Sequence, residues 1–407
     1  MKKPAILFYC QHALGMGHLI RSLALAQGLT ERFAVTFLNG GKMPEGVKFS
    51  PEINVVHLPP LGFDQANQLI SCDRRRSVDR AKQLRRQMII ETFAVTKPEM
   101  ILIELFPFGR KKFADELLPL LEMAKSQAMK RPLVVCSLRD LLVGKRRDQQ
   151  RHNERAVEIA NRFFDAILVH TDPAFARLED SLPNAIHLQP TIHYTGFVQI
   201  EKNVRVKMAK QSGRKIVVSA GGGMVGFGLF NTAIESYQRL PKNLGIELKL
   251  IAGPFLPEAE FRSLSNKIRG RKGIQLVHVV KDLTAELGAA DASISQCGYN
   301  TALDILRSRV SALVVPFANG LEDEQMNRAR RLEKMGALQV LDQNDLSAER
   351  LAEAMVELLN FKPHPLNLNL QGVKTTAHLL DSLIRQSSDK CRQLPLPKAQ
   401  FNSEVRL

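Results

Sequence analysis

The chain has 407 residues, more than one hydrophobic core usually serves, so two domains are expected. Hydrophobic residues make up 44% and charged residues 24%, an ordinary globular composition, and no apolar run approaches the roughly 18 residues of a membrane span. The formal net charge of +16 points toward an anionic substrate or surface. The basic runs lack the interleaved aromatics of a single-strand nucleic-acid platform, so nucleic acid is not an expected partner.

The chain opens with Met1-Lys2-Lys3 and an apolar run, Ala5–Cys10, that is too short for a signal-peptide core and runs straight into Gln11-His12. It reads as a first β-strand, with a cytoplasmic location expected. Further strands are predicted at Ala34–Leu38, Met100–Glu104, Leu133–Ser137 and Ala166–His170. Two basic runs lie in this half, one from Arg74 to Arg86, including Arg85, and one from Arg139 to Arg155 through Lys145, Arg146 and Arg147. Each reads either as a solvated helix face or as a contact with an anionic membrane surface. A second series of strands is predicted at Lys215–Ala220, Leu248–Ala252, Ile274–His278, Ala292–Ser295, Ala312–Val315 and Ala337–Leu341. Between the strands lie segments of helical spacing, such as Leu19, Leu23 and Ala26. Strand–helix alternation with near-continuous apolar strands implies parallel sheets covered on both faces, a doubly wound α/β architecture.

The pattern resets once, in a polar stretch, which divides the chain into a first domain at 1–198, a linker at 199–214 and a second domain at 215–386. A final helix is expected at about Thr375–Arg385, followed by a mobile tail at 387–407. The five cysteines, Cys10, Cys72, Cys136, Cys297 and Cys391, are scattered and form no C-x-x-C pair, so neither a disulfide framework nor a zinc site is expected.

In open α/β sheets ligands bind outside the carboxyl ends of the strands, so four loops carry the functional reading. After the first strand, Gly15 and Gly17 allow a tight turn and close approach, and His18 enters the helix that follows. The third glycine of a dinucleotide fingerprint is absent, Ile20 standing in its place. A neutral imidazole at His18 can take a proton from an attacking hydroxyl; equally, it can merely cap or pack. In the second domain, Gly221-Gly222-Gly223 exposes backbone N–H groups able to cradle phosphate. In the third loop Gly298 allows close approach, Asn300 or Thr301 can cap the next helix, and Asp304, one turn on, can hold a ribose diol or be a surface charge. In the fourth, Glu324 and Gln325 open a helix, where they suit its dipole or meet hydroxyls of a sugar. No Asp-x-Asp and no His/Cys cluster is present, so no metal is expected.

Taken together, the loops resemble a known family. Gly-Tyr-Asn-Thr followed by Asp304, and then Glu324-Gln325-x-x-Arg-Ala, resemble the C-terminal domain of glycosyltransferases related to the N-acetylglucosaminyl transferase of peptidoglycan lipid synthesis, over Lys215 to about Leu359. The N-terminal Gly-x-Gly-His-x-x-Arg is similar to that family's acceptor-side loop, here Gly15, Gly17, His18 and Arg21. The resemblance implies the GT-B fold, two Rossmann-like domains facing a cleft, with no cofactor beyond the nucleotide-sugar substrate. By the same resemblance Gly221, Gly222 and Gly223 approach the diphosphate, Val280 meets a uracil, Asp304 holds the ribose, Glu324 and Gln325 the sugar, and His18 is the base of an inverting transfer. Departures stand at Asp304 (Glu in relatives), Glu324 (Gln), Phe317 (Arg) and Val225 (Asp). The implied partners are a UDP-linked donor and an acceptor that is lipid-linked or polyanionic, with peripheral contact to an anionic membrane. The alternatives are a nucleotide-sugar epimerase of the same fold and a non-catalytic binder of anionic surfaces.

Overall fold

The computed structural model describes residues 3–12, 17–44, 47–64, 68–127, 131–142, 148–199, 214–317 and 323–393. Gly15, Lys145, Arg146, Arg147, most of the predicted linker and the end of the predicted tail lie outside the described residues.

The first domain contains β1 (Ala5–Cys10), α1 (Gly17–Leu29), β2 (Ala34–Asn39), β3 (Asn54–His57), the hairpin β4 (Leu61–Phe63) and β5 (Leu69–Ser71), and α2 (Val78–Thr96). It continues with β6 (Met100–Glu104), α3 (Ala114–Ser126), β7 (Leu133–Leu138), α4 (Gln149–Phe163), β8 (Ala166–Val169) and β9 (Thr191–Tyr194). The main sheet has seven parallel strands in the order β3-β2-β1-β6-β7-β8-β9. Successive residues of a strand point to opposite faces. Leu7 and Tyr9 accordingly enter a core with Phe93, Leu117 and Ala160 of α2, α3 and α4, while Ile6 and Phe8 enter another with Leu25 of α1.

The second domain contains β10 (Arg214–Ser219), α5 (Phe227–Tyr237), β11 (Ile246–Ile251), α6 (Glu258–Ile268), β12 (Ile274–Val277), α7 (Leu283–Gly288) and β13 (Ala292–Ser295). Then follow α8 (Tyr299–Ser308), β14 (Ser311–Val314), α9 (Glu324–Lys334), β15 (Gln339–Val340), α10 (Ala348–Leu358) and α11 (Gly372–Gln393). Six parallel strands run in the order β12-β11-β10-β13-β14-β15.

Three features depart from the sequence reading. Strands β3 and β9 are edge strands with half-exposed residues, and they lack the apolar run by which central strands are recognised. The last helix is longer than expected and packs on the first domain: Ala377, Leu380 and Ile384 join Phe8, Leu25 and Phe37. It returns there because its apolar stripe completes the sheet face that α1 covers only in part; Phe197 exchanges backbone bonds with the entry to this helix, donating to Asn369 O at 2.7 Å and accepting from Gly372 N at 3.0 Å. Finally, Arg85 is no solvated charge. It is fully buried, donating from Nε to Glu116 Oε2 at 2.7 Å, from Nη1 to the Gly40 and Pro59 carbonyls, and from Nη2 to Gln11 Oε1. The spacing of α2 turns Arg85 inward with Ala81 and Ile89, while Arg80 and Arg86 face solvent.

Candidate active site between the domains

In the first sheet the strand order reverses between β1 and β6, and in the second between β10 and β13. Each reversal opens a crevice at the carboxyl ends of the strands. The four loops singled out in the sequence all leave strands at this edge.

Glu104 is the last residue of β6 and is fully buried. Its Oε1 receives His18 Nδ1 at 2.6 Å and Arg21 Nη2 at 2.5 Å. Both donors come from α1, three residues apart, and so share one helix face. That geometry gives the Gly-His-x-x-Arg spacing its physical content: two side chains of one helix grip one carboxylate oxygen. Burial pushes the His18 imidazole down to about 3, against the pull of Glu104. Burial alone would raise the Glu104 carboxyl, but His18, Arg21 and Arg110 hold it well below the usual carboxylate range. At neutral pH the pair is therefore a neutral imidazole and a carboxylate. The carboxylate at Nδ1 fixes the tautomer with its hydrogen there and leaves the Nε2 lone pair unprotonated. Nε2 has no hydrogen-bond partner among the described residues. Sequence reasoning missed Glu104. Its signal is a lone carboxylate closing an otherwise apolar strand, Met100-Ile-Leu-Ile, at the edge where ligands bind.

On the second domain the glycine-rich loop leaves β10. Gly221 and Gly223 have φ of 56° and 89°, and a Cβ at Gly223 would lie 2.2 Å from the Ala252 carbonyl oxygen. Glycine is required at this position by backbone conformation and by space together. The loop stacks on the loop after β11 and approaches α8, a Cβ at Gly221 lying 3.5 Å from Thr301 Oγ1. Gly298, rather than Asn300 or Thr301, occupies the N-cap of α8; no side chain caps this end, and the space around Gly298 is open. Uncapped N–H groups at a helix start are free donors for an anion. Gln325 Oε1 accepts from Cys297 N at 3.1 Å and Phe317 N at 3.3 Å, tying the third and fourth loops together.

Two sequence candidates already have partners in the fold. Asp304 Oδ1 receives Gln199 Nε2 at 2.5 Å and Thr284 Oγ1 at 2.6 Å, so that one carboxylate oxygen anchors the start of the linker. Glu324 Oε1 receives Arg139 Nη1 of the first domain at 2.9 Å, and Arg139 Nη2 also contacts Oε2. Val280 packs partly buried beside Leu283; the neighbouring Val279 is exposed, and His278 stacks on Phe261 at 3.5 Å.

The two faces meet. A Cβ at Gly17 would lie 4.0 Å from Asn300 Nδ2, which places the start of α1 over the start of α8. Arg328 crosses to Asp140 with two bonds, Nε–Oδ2 2.6 Å and Nη2–Oδ1 2.8 Å, both groups buried, and donates from Nη1 to Cys297 O. Tyr299 lies between the Arg21 and Arg328 guanidinium groups, 5.6 Å and 5.9 Å from its centroid. Its hydroxyl donates to His170 O and accepts from Val198 N.

Two parallel Rossmann-like sheets with facing carboxyl edges define the GT-B fold. The crystal structure of Acinetobacter baumannii MurG is alike along 94% of this chain and 99% of its own, with a TM-score of 0.58 at 14% identity, which supports the fold. Residues 217–380 match the glycosyltransferase family 28 C-terminal domain, so the second domain is of the family-28 type. In sequence the chain is 39% identical over 82 residues to the UDP-N-acetylglucosamine–N-acetylmuramyl-(pentapeptide) pyrophosphoryl-undecaprenol N-acetylglucosamine transferase of Burkholderia orbicola, and 28% over 152 residues to that of an Azoarcus species. These alignments span 20% and 37% of this chain and 22% and 42% of the relatives' lengths.

Proposed function

We propose that the protein transfers a hexosyl group, N-acetylhexosaminyl being one candidate, from a UDP-linked donor to an acceptor hydroxyl with inversion at the anomeric carbon. The observation that carries this is the His18–Glu104 pair, set opposite the open N-terminus of α8 and the glycine loop. His18 Nε2 takes the acceptor proton as its oxygen attacks the anomeric carbon in line. The imidazolium that forms is stabilised by Glu104, whose carboxylate is already ionised. The negative charge growing on the departing diphosphate is met by the N–H groups of Gly221–Gly223 and of the first turn of α8. Glu324 and Gln325 face the sugar, with Arg139 positioning Glu324. Asp304 stands where the resemblance puts the ribose contact, with Oδ1 bonded to Gln199 and Thr284. The family-28 match and the relatives' printed UDP-N-acetylglucosamine donor support the choice of donor.

Among the described residues no helix is long and apolar enough to cross a membrane. The exposed Arg74, Arg75, Arg76, Arg80 and Arg86 suit peripheral contact with an anionic surface, where a lipid-linked acceptor would reside.

Thermal shift with UDP and UDP-sugars is the first test: saturation at one hundred times the dissociation constant adds about 2.7 kcal/mol of stability. His18→Ala is expected to abolish transfer and retain UDP binding. Turnover by that variant at the wild-type rate would refute the assigned role, and a new sugar appearing from donor alone would indicate an epimerase.

A further inference from the structure

Three guanidinium groups approach the His18–Glu104 pair, and two of them are matched by carboxylates. Arg21 is bonded to Glu104, and Arg139 to Glu324. Arg110 is paired only loosely, with the same Glu104 carboxylate and without a hydrogen bond. It leaves the loop after β6 with its side chain only 13% exposed, and its Nε stands 3.8 Å from Glu104 Oε2, beyond hydrogen-bond length. Neither that nitrogen nor Glu104 Oε2 has a hydrogen-bond partner, and none is formed by any other Arg110 nitrogen among the described residues. A guanidinium carries five donors in a fixed fork; here the Nε is buried without a hydrogen bond, which is costly, and the Nη donors are engaged by no group among the described residues. The backbone holds it there in a left-handed conformation, φ 60°, and Leu105, directly after Glu104, is left-handed as well at φ 66°. Non-glycine residues in this region are uncommon and cluster where the chain must present a side chain.

We propose that Arg110 holds an anionic group of the acceptor, phosphoryl or carboxylate, beside the hydroxyl that His18 deprotonates. This rests on the reading of the first domain as the acceptor side. The geometry favours an oxyanion because the planar fork pairs with two oxygens at once, which no neutral hydroxyl offers. It favours the acceptor over the donor diphosphate because Arg110 belongs to the first sheet, whereas the glycine loop and the α8 N-terminus belong to the second. Arg110 is thus a selectivity residue: an acceptor without a negative charge near its nucleophile leaves the guanidinium unsatisfied.

The test is calorimetric binding of inorganic phosphate and of glucuronate to the full-length protein, with and without saturating UDP, for wild type, Arg110→Gln and Arg110→Lys. One of the probes is expected to bind saturably in the presence of UDP. Arg110→Gln should weaken it at least about tenfold and Arg110→Lys less, since the charge remains but the fork is lost. Preference for phosphate identifies a phosphoryl-bearing acceptor, and preference for glucuronate a carboxylate-bearing one. An unchanged UDP affinity shows that the variants are folded; if Arg110→Gln fails to fold, Arg110→Lys carries the comparison. Probe binding that UDP abolishes and Arg110→Gln leaves intact would overturn the proposal, as would a wild type that binds UDP but neither probe. Arg110-dependent binding in a protein that ignores UDP would sustain this site and sink the donor assignment instead. Binding of neither probe nor UDP would overturn both.

Discussion

Asp140→Ala is the most informative single change for the cleft. Asp140 is fully buried and Arg328 is 2% exposed, and the two are joined by two charge-assisted bonds across the domain boundary. Removing the carboxylate leaves Nε and Nη2 of a buried guanidinium without acceptors, while the bond from Nη1 to Cys297 O persists. Two lost bonds to a charged group, at about 1.5–3 kcal/mol each, agree with the roughly 3–5 kcal/mol measured when one member of a buried pair is deleted. Arg328→Met should cost a similar amount by stranding Asp140. The double variant Asp140→Ala/Arg328→Met removes both charges together, so it should recover much of the loss, with a coupling energy above about 2 kcal/mol. Urea unfolding of the four proteins, with each transition fitted separately if the domains part in two steps, reads this directly. A loss below about 1 kcal/mol for Asp140→Ala, or strictly additive singles, would show that the pair does not hold the domains as argued.

Glu104→Gln should lower turnover by about a hundredfold or more and leave UDP affinity unchanged, because the amide neither stabilises the imidazolium nor fixes its tautomer as the carboxylate does. Stability should fall as pH drops from neutral. In the unfolded chain His18 takes up a proton near 6.5, whereas in the fold it does so only near about 3, so the unfolded state binds more protons in between. The stabilisation is fully present above the unfolded value and is lost on acidification; the lowered Glu104 pKa adds in the same direction, and His18→Gln should flatten the slope of melting temperature against pH. Gly223→Ala should destabilise by about 2 kcal/mol or more and weaken UDP binding, since φ is 89° and the new Cβ would strike the Ala252 carbonyl oxygen. Gly228→Ala, with open space around its Cβ on α5, is the control and should be neutral or stabilising by at most about 1 kcal/mol.

The architecture was legible because central parallel strands are buried on both faces and so write continuous apolar runs; Met100–Glu104 and Ala292–Ser295 were read with their observed bounds. The loops were legible because glycine at a strand–helix junction has few other uses. Side-chain pairing across the fold was not. Glu104 is 86 residues from His18, and nothing local in either segment announces the other. Arg85 and Arg139 read as members of basic runs facing solvent or an anionic membrane, because a window of like charges does not say which residue turns inward to a distant carboxylate. Asp304, read as a ribose ligand, gives one oxygen to Gln199, a partner outside its own helix that spacing could not supply. The terminal helix has a clear apolar stripe, but a stripe does not name the sheet that will cover it.

The contacts between the domains are of two chemical kinds, and their placement bears on how the cleft works. Near the chain crossing Phe175, Phe197 and Tyr299 pack edge-on and tilted, at 5.4 Å and 6.0 Å, within one apolar cluster drawn from both domains. Separating these would expose apolar surface and cost free energy in proportion to the area. At the loops that face the cleft the contacts are ionic: Arg139 with Glu324, each 14% exposed, and beside it the buried Arg328–Asp140 pair. Parting Arg139 from Glu324 exchanges that ion pair for hydration, and a partly exposed pair is worth little on balance. Both ends therefore resist separation, the apolar cluster and the buried Arg328–Asp140 pair strongly and the Arg139–Glu324 pair little. Of the two charges in that weak pair, Glu324 is the one proposed to meet the donor sugar. A sugar hydroxyl bound at Glu324 would replace the partner it loses, so donor binding there is opposed only by this weak pair and leaves the buried one intact.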